Sequence, residues 1–214
     1  MTPAPIFDPV DTAQELAAEL RATIESVATV DHDPAALRRA TALVAEARQL
    51  LDGPRRTRWY EHDVPPEAAV IARSYAASSP FRGTDNPLAP PLRTERIEGP
   101  AGPLVEGRVR LGRAYEGPPH GVHGGVLAGL FDDMLGAAQR LSGTRGVTAR
   151  LTVRYRALTP VESDLVLRAE AGEPHGRRVT CTASCHAGDT LTAEAEALFV
   201  AVDFDHLADA AGGS

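Results

Sequence analysis

The sequence predicts an α+β fold, and three observations carry that prediction. From about His123 to Leu141, apolar residues (Leu127, Leu130, Phe131, Met134, Leu135, Ala138, Leu141) recur at helical spacing. After it, Val147–Leu158, Leu165–Ala171, Arg178–His186 and Thr190–Asp203 alternate apolar and polar residues as half-buried strands do. Near the N-terminus, two further helical patterns stand apart from any strand signal. Helices and strands are segregated, so the strands pair antiparallel, and a curved sheet wrapped around the central helix would bury its Leu/Phe/Met face.

Taken in order, the Pro-rich residues 1–10 are expected to be loose. Asp11-Thr12 begins a helix, with Thr12 and Glu15 as a capping box and Leu16, Leu20, Ile24 and Val27 as its apolar stripe. Asp33-Pro34 reads as an N-cap and first residue of a second helix. Its stripe is Leu37, Ala40, Leu43, Val44, Ala47, Leu50 and Leu51, and Asp52-Gly53-Pro54 stops it. The two make a helical hairpin extension over residues 1–60, whose Ala-rich face could pack on the main domain or on a second copy. Arg55 to Tyr60 is basic and aromatic, and the connector over 61–92 holds a short helix from Glu67 to Ala77. Ser78 to Leu92 reads as an extended arm, because proline favours polyproline II. The main domain spans 93–204. Arg93–Glu98 and Leu104–Leu111 are its first strands, and Ser142 to Gly146 ends the central helix. Val147, Ala149, Leu151, Val153 and Tyr155 share one face of the next strand. Ala187-Gly188-Asp189 turns a hairpin, and residues 205–214 form a frayed tail.

The chain is organised around Tyr115 to Gly136. Glu116-Gly117-Pro118-Pro119 can continue neither strand nor helix. The helix that follows has an unusual outer face, where Gly125, Gly129 and Gly136 line up with Asp132 instead of Lys, Glu and Arg. Each glycine costs a helix interior roughly 1 kcal/mol relative to alanine. The stripe therefore implies close approach by a partner chain or ligand, with Asp132 on a covered surface and Asp133 directed to the other margin of the apolar face. The bland alternative is an amphipathic helix with two surface carboxylates. The sharper one is a site, in which the helix N-terminus polarises a carbonyl or holds an anion. Asp132, about two turns along, is then a base or nucleophile.

Composition removes several classes. With 43% hydrophobic and 24% charged residues the chain is an ordinary globular protein. A net charge of −7 argues against nucleic acid as a partner. No apolar run approaches the ~20 residues of a membrane span, so no membrane partner is expected. The N-terminus shows no secretion signal. Cys181 and Cys185 lie four apart in one strand, roughly 13 Å between Cα atoms, too far for a disulfide. Reduced thiols and a cytoplasmic location follow. No motif for a metal or cofactor is present, and none is expected.

At this point the residues resemble a family. Tyr115-Glu-Gly-Pro-Pro, His123-Gly124-Gly125, Asp132, Val147-Thr148, Leu151, Val153, Tyr155 and Thr159-Pro160 look like the hotdog-fold acyl-CoA thioesterases of the PaaI-like group. Gly188-Asp189-Thr190-Leu191 with Ala193 and Ala195 matches that group's last hairpin. Asn86-Pro-Leu-Ala-Pro-Pro together with the Tyr-Glu-Gly-Pro-Pro loop looks like an actinobacterial branch. The likeness covers about residues 86–203 and leaves the N-terminal helices outside.

The resemblance implies a hotdog fold and hydrolysis of acyl-CoA by a homodimer or dimer of dimers. It implies that the Gly124 N–H polarises the thioester carbonyl, as an oxyanion-type donor does. Asp132 then acts as general base or nucleophile across the dimer interface. Thr148 positions the water, and His123 orients the loop and helix start. Many members carry Asn or Gln where this chain has Gly117, and His120 is a candidate substitute. Gly125 is expected to lie against the substrate. Arg154, Arg156, Arg177 and Arg178 are candidates for the CoA phosphates, against the plainer reading of a solvated sheet face. Two other functions stay open. A hotdog hydratase needs a His with the carboxylate, and the position five beyond Asp132 is Ala137. A non-catalytic acyl-CoA binder would keep the fold without turnover.

Overall fold

The computed structural model describes residues 9–54, 77–100 and 102–202. The basic patch at 55–60, the helix expected over 67–77 up to its last residue, and the tail at 205–214 lie outside the described residues. The α-helices described in full are α1 (Pro9–Thr29), α2 (Pro34–Leu50) and α3 (Gly124–Gln139). Six strands accompany them: β1 (Arg93–Gly99), β2 (Gly102–Arg110), β3 (Gly146–Tyr155), β4 (Asp164–Ala171), β5 (Arg178–Ala187) and β6 (Thr190–Ala201). The strands form one antiparallel sheet in the order β1-β2-β4-β5-β6-β3. This is the expected hotdog arrangement.

The order follows from α3. The chain leaves β2, crosses the concave side of the sheet as α3, and re-enters at the opposite edge as β3. Leu127, Leu130, Phe131, Met134, Leu135 and Ala138 all point into the sheet and are buried. They meet Val105, Val109, Leu165, Leu167, Ala169, Val179, Cys181, Cys185, Ala193, Ala197 and Phe199 in one core. Alternation on β4, β5 and β6 is regular because each is paired on both sides and has one buried face.

β3 departs from the expected alternation. A bulge between Thr148 and Arg150 breaks its register with β6, and Val147 and Tyr155 are exposed. As an edge strand it lacks a neighbour on its outer side, so its apolar positions are only half covered within one chain.

The N-terminal helices also differ from expectation. α1 starts at Pro9, which places Thr12 inside the first turn. α1 docks by the stripe Ala17, Arg21 and Glu25, while Leu16, Ile24 and Val27 stay exposed. The Glu25 carboxylate accepts the N–H groups of Arg113 (2.7 Å) and Ala114 (3.1 Å), capping the 3₁₀ turn Arg113–Tyr115. Arg21 Nη1 donates to the Asn86 carbonyl at 3.1 Å. Polar contacts thus outcompete the apolar stripe, because they satisfy backbone N–H groups that nothing else reaches. Asp33 caps α2 as expected, accepting from the Ala36 N–H at 3.2 Å, yet α2 buries none of its residues. The predicted hairpin is therefore two helices with only α1 docked.

Residues 77–78 are helical and turns run between 80 and 89, where an extended arm was expected over 78–92. The Gly83 N–H donates to Ser79 O (3.0 Å) and the Asp85 N–H to Ala77 O (3.0 Å). The Asn86 side chain donates to Ser78 O at 3.1 Å and accepts from the Leu88 N–H at 3.0 Å. Side-chain hydrogen bonds from Asn86 override the polyproline tendency of its neighbours.

Truncating the fully buried Leu130 (0% exposed) to alanine should cost about 3 kcal/mol. Urea denaturation monitored by far-UV circular dichroism reads this loss as a lowered midpoint.

Candidate active site

The start of α3 is set by His123. Its ring Nδ1 accepts the Gly125 N–H at 3.0 Å, which makes His123 the N-cap and puts the ring proton of the neutral form on Nε2. The Gly124 carbonyl accepts the Tyr155 hydroxyl at 2.8 Å. The His123 carbonyl takes the Val126 and Leu127 N–H groups at 2.9 and 3.3 Å. The His123–Gly124 peptide is thereby oriented with its carbonyl down the helix. Its N–H, that of Gly124, points the other way and has no hydrogen-bond partner among the described residues. Gly125, expected to meet substrate, has its N–H taken by the His123 ring.

The preceding loop closes on itself. The His123 N–H donates to Tyr115 O (2.8 Å) and the Gly117 N–H to Gly121 O (2.9 Å). A Cβ at Gly117 would stand 2.7 Å from His123 Cα, so close packing favours glycine there. His120 lies exposed at φ 62°, its N–H donating to Glu116 Oε1 at 2.6 Å. Beside Gly124 an open recess of about 380 Å³ is lined by Val122, Leu127, Tyr155, Arg156, Leu158 and Thr159 among others.

Asp132 lies on the outer face of α3, half-buried. Thr148 on β3 donates its hydroxyl to Asp132 Oδ1 at 2.8 Å, and Oδ2 has no partner among the described residues. Eight residues separate Gly124 from Asp132, about 12 Å along the helix. One chain therefore holds a free N–H and a positioned carboxylate that cannot meet on the same carbonyl.

Part of the glycine stripe is covered from within the chain. Phe81 of the same chain sits on Gly129, where a Cβ would come within 2.2 Å of its ring, while the space around Gly136 is open. Asp133 is the anchor that sequence reasoning passed over. Ser79 donates to its Oδ1 at 3.0 Å and Arg82 Nε lies 3.3 Å from its Oδ2, both Asp133 and Arg82 being 13% exposed. The Asp-Asp doublet was the available signal, for adjacent helical positions diverge by about 100° and reach different neighbours. Tyr155, placed by the sequence on a strand face, instead holds the first peptide of α3.

The arginines separate. Arg156 lines the recess beside Gly124, its Nε and Nη2 both 2.6 Å from Glu194 Oε2. Arg154 is exposed on the outer side of the sheet, beside Glu194 and Glu196. Arg177 donates Nη2 to Ala201 O at 2.9 Å. Ala201 pairs with Gly146, the end of β3 opposite Tyr155, so within one chain Arg177 and its neighbour Arg178 stand roughly 30 Å of strand away from Gly124. Cys181 and Cys185 are buried and free. Burial pushes the Cys181 thiol up to about 11 and raises that of Cys185, so both stay protonated at neutral pH. Among the described residues no three His, Cys, Asp or Glu side chains gather as a metal site requires. None of the described helices is long and apolar enough to cross a membrane.

No family model matches the chain. A solved thioesterase superfamily protein is 30% identical, with a TM-score of 0.71 over 92% of this chain and 97% of that one. The chain belongs to the thioesterase superfamily. Among curated relatives, human acyl-coenzyme A thioesterase THEM5 is 31% identical over 85 residues, covering 40% of this chain and 34% of that protein. Acyl-coenzyme A thioesterase THEM4 of Xenopus laevis is 33% identical over 91 residues, covering 42% and 41%. The chain spans about two fifths or less of these relatives' lengths. Thioesterase superfamily member 2 of zebrafish, 17% identical at a TM-score of 0.50 over 62% of this chain and 97% of its own, shares the fold.

Burial raises the Asp133 carboxyl above its ordinary value, against the opposing pull of Arg82 and Ser79; Asp132 raises it further and Arg140 opposes. The folded chain therefore holds this proton to higher pH than the unfolded chain, and the stability it contributes is lost as pH rises through the raised value. Asp133→Asn, which does not ionise, should gain on the wild type as pH rises from the acid range to neutrality. Urea midpoints of both proteins across that range test this, and a constant difference would count against it.

Proposed function

We propose that this chain hydrolyses acyl-CoA thioesters to a free acid and CoA, at sites built by two copies of itself. The observation that carries the reading is the Asp132 carboxylate, with one oxygen fixed by Thr148 and the other open. Two further features support it. The Gly124 N–H stands unengaged at a helix N-terminus, where partial positive charge favours a developing oxyanion. β3 is a ten-residue edge strand with exposed apolar side chains, suited to antiparallel pairing with the β3 of a second copy.

Two-fold pairing resolves the 12 Å separation. Where two α3 helices pass antiparallel about an axis near Ala128, Gly124 of each lies beside Asp132 of the other. The thioester carbonyl oxygen then accepts the Gly124 N–H. The partner copy's carboxylate, held through Oδ1 by its own threonine, takes a proton from water through Oδ2. The water oxygen adds to the carbonyl carbon, the oxyanion forms against the N–H, and collapse breaks the C–S bond. The CoA thiolate leaves and is protonated by solvent. Direct attack by Asp132 is the other chemistry open to the same geometry. The Val126 and Leu127 N–H groups hold the donor peptide through the His123 carbonyl, and Tyr155 and the His123 ring hold the peptide after it, which matters because preorganised dipoles need no reorganisation as charge develops. Arg156 stands where a CoA phosphate could exchange with Glu194. Assembly beyond a dimer and a reducing, cytoplasmic setting for the two free thiols belong to the same reading.

Free-thiol release from short, long and aryl acyl-CoAs tests the reaction. The wild type should turn over at least one class, and Asp132→Asn should lower kcat about 10²–10⁴-fold while the dimer persists. Sedimentation should find a dimer; a monomer with full activity would sink the shared site. Tight acyl-CoA binding without release would instead make the chain a binding protein.

A further inference from the structure

Phe81 packs against the margin of the core, and its ring is only half-buried. The rest of the ring lies over Gly129 of α3. Several groups hold it there. Ser79 is buried and bonds both the Asp133 carboxylate and, through its Oγ, the N–H groups of Phe81 (3.3 Å) and Arg82 (3.4 Å). Arg82 meets the other Asp133 oxygen. The turn is closed behind by Gly83 and Asn86, and Arg21 of α1 ties Asn86 to the N-terminal helix. An aromatic ring is thus fixed over Gly129 by a buried ion pair, and the glycine leaves it room to touch the helix backbone.

Position gives this ring its meaning. Gly129 lies between Gly124 and Asp132 along the helix, on the side that carries Asp132, one residue from the point about which two such helices would cross. An acyl group whose carbonyl sits at Gly124 of one copy and Asp132 of the other must leave through the space beside that crossing. β3 closes one flank of it with Thr148 and Tyr155. Phe81 stands on the other flank.

We infer that Phe81 walls the acyl-binding space and sets the length of acyl chain accepted, with Asp133, Ser79 and Arg82 as the residues that position it. The inference rests on the proposed thioester site for the placement of the carbonyl. The exposed edge of the ring faces the acyl chain, and its opposite face is spent on Gly129. The accepted ligand is a CoA thioester whose chain ends against the ring. Removing ring atoms lengthens the chain that fits, and adding them shortens it.

The test uses non-hydrolysable S-alkyl-CoA thioethers of graded length, from butyl to hexadecyl, binding to the full chain by calorimetry. Phe81→Leu should move the tightest-binding length upward, and Phe81→Trp should move it downward. Each should change the ratio of affinities for long and short thioethers about tenfold, since single methylenes in apolar pockets discriminate by at least that much. Circular dichroism and sedimentation confirm that both variants fold and assemble. A role confined to stability predicts equal weakening at every length. That result, an unchanged profile, or failure of the wild type to bind any thioether overturns the inference. Thiol release from the matching thioesters is read separately: binding that shifts with Phe81 while no thioester is cleaved would leave the wall in place and discard the hydrolytic reading.

Discussion

Burial of one stripe of α3 in the hollow of the sheet fixes nearly everything else about this molecule. Leu127, Leu130, Phe131, Met134, Leu135 and Ala138 are buried there, and each large side chain so placed contributes about 1.5–3 kcal/mol. No other rotation of the helix would leave these residues dry. Once that rotation is set, the outward direction of every remaining residue on α3 is set too. Asp132 is delivered to β3, Asp133 to the segment 77–92, and the glycines to the surface between them. The site is a consequence of how the helix satisfies its core, and it needs no loop to form it.

The start of the helix obeys a second constraint, the accounting of orphaned N–H groups. Most are satisfied by the fold: His123 takes that of Gly125, and the His123 carbonyl takes those of Val126 and Leu127. Glu25 does the same work for the 3₁₀ turn Arg113–Tyr115. Against this thorough satisfaction, the N–H of Gly124, without a partner among the described residues, stands out. A donor left open where its neighbours are all used is a better mark of function than a helix terminus in general.

The two halves of the candidate site lie too far apart on a rigid helix to serve one substrate within one chain. This geometry, together with the edge position of β3, is the reason the proposed site draws on two copies of the chain. The segment 77–92 belongs to the same logic. It places an aromatic ring beside the ground the two helices would share, and it is held by a carboxylate whose burial costs stability that the Arg82 and Ser79 contacts offset only in part.

Much of this was legible in the sequence. The 3.6-residue period of α3 named its buried face, and the alternation of β4, β5 and β6 named theirs, because these elements meet neighbours on all sides and their patterns are complete. The His-Gly-Gly start and Asp132 were legible as well, since a helix terminus and an acidic residue on a glycine stripe are local facts. What failed were inferences about contacts between distant segments. The glycine stripe implied a close neighbour but could not say that Phe81 was that neighbour. The prolines of 87–91 implied extension, and the hydrogen bonds of Asn86 bent the segment into turns. The apolar stripe of α1 implied its docking face, and Glu25 meeting the N–H groups of Arg113 and Ala114 chose another. Local periodicity determined which residues each element would bury. Only the tertiary structure decided which segments face one another, because that choice turns on hydrogen bonds and ion pairs between residues 54 to 89 positions apart, whose partners no local pattern announces.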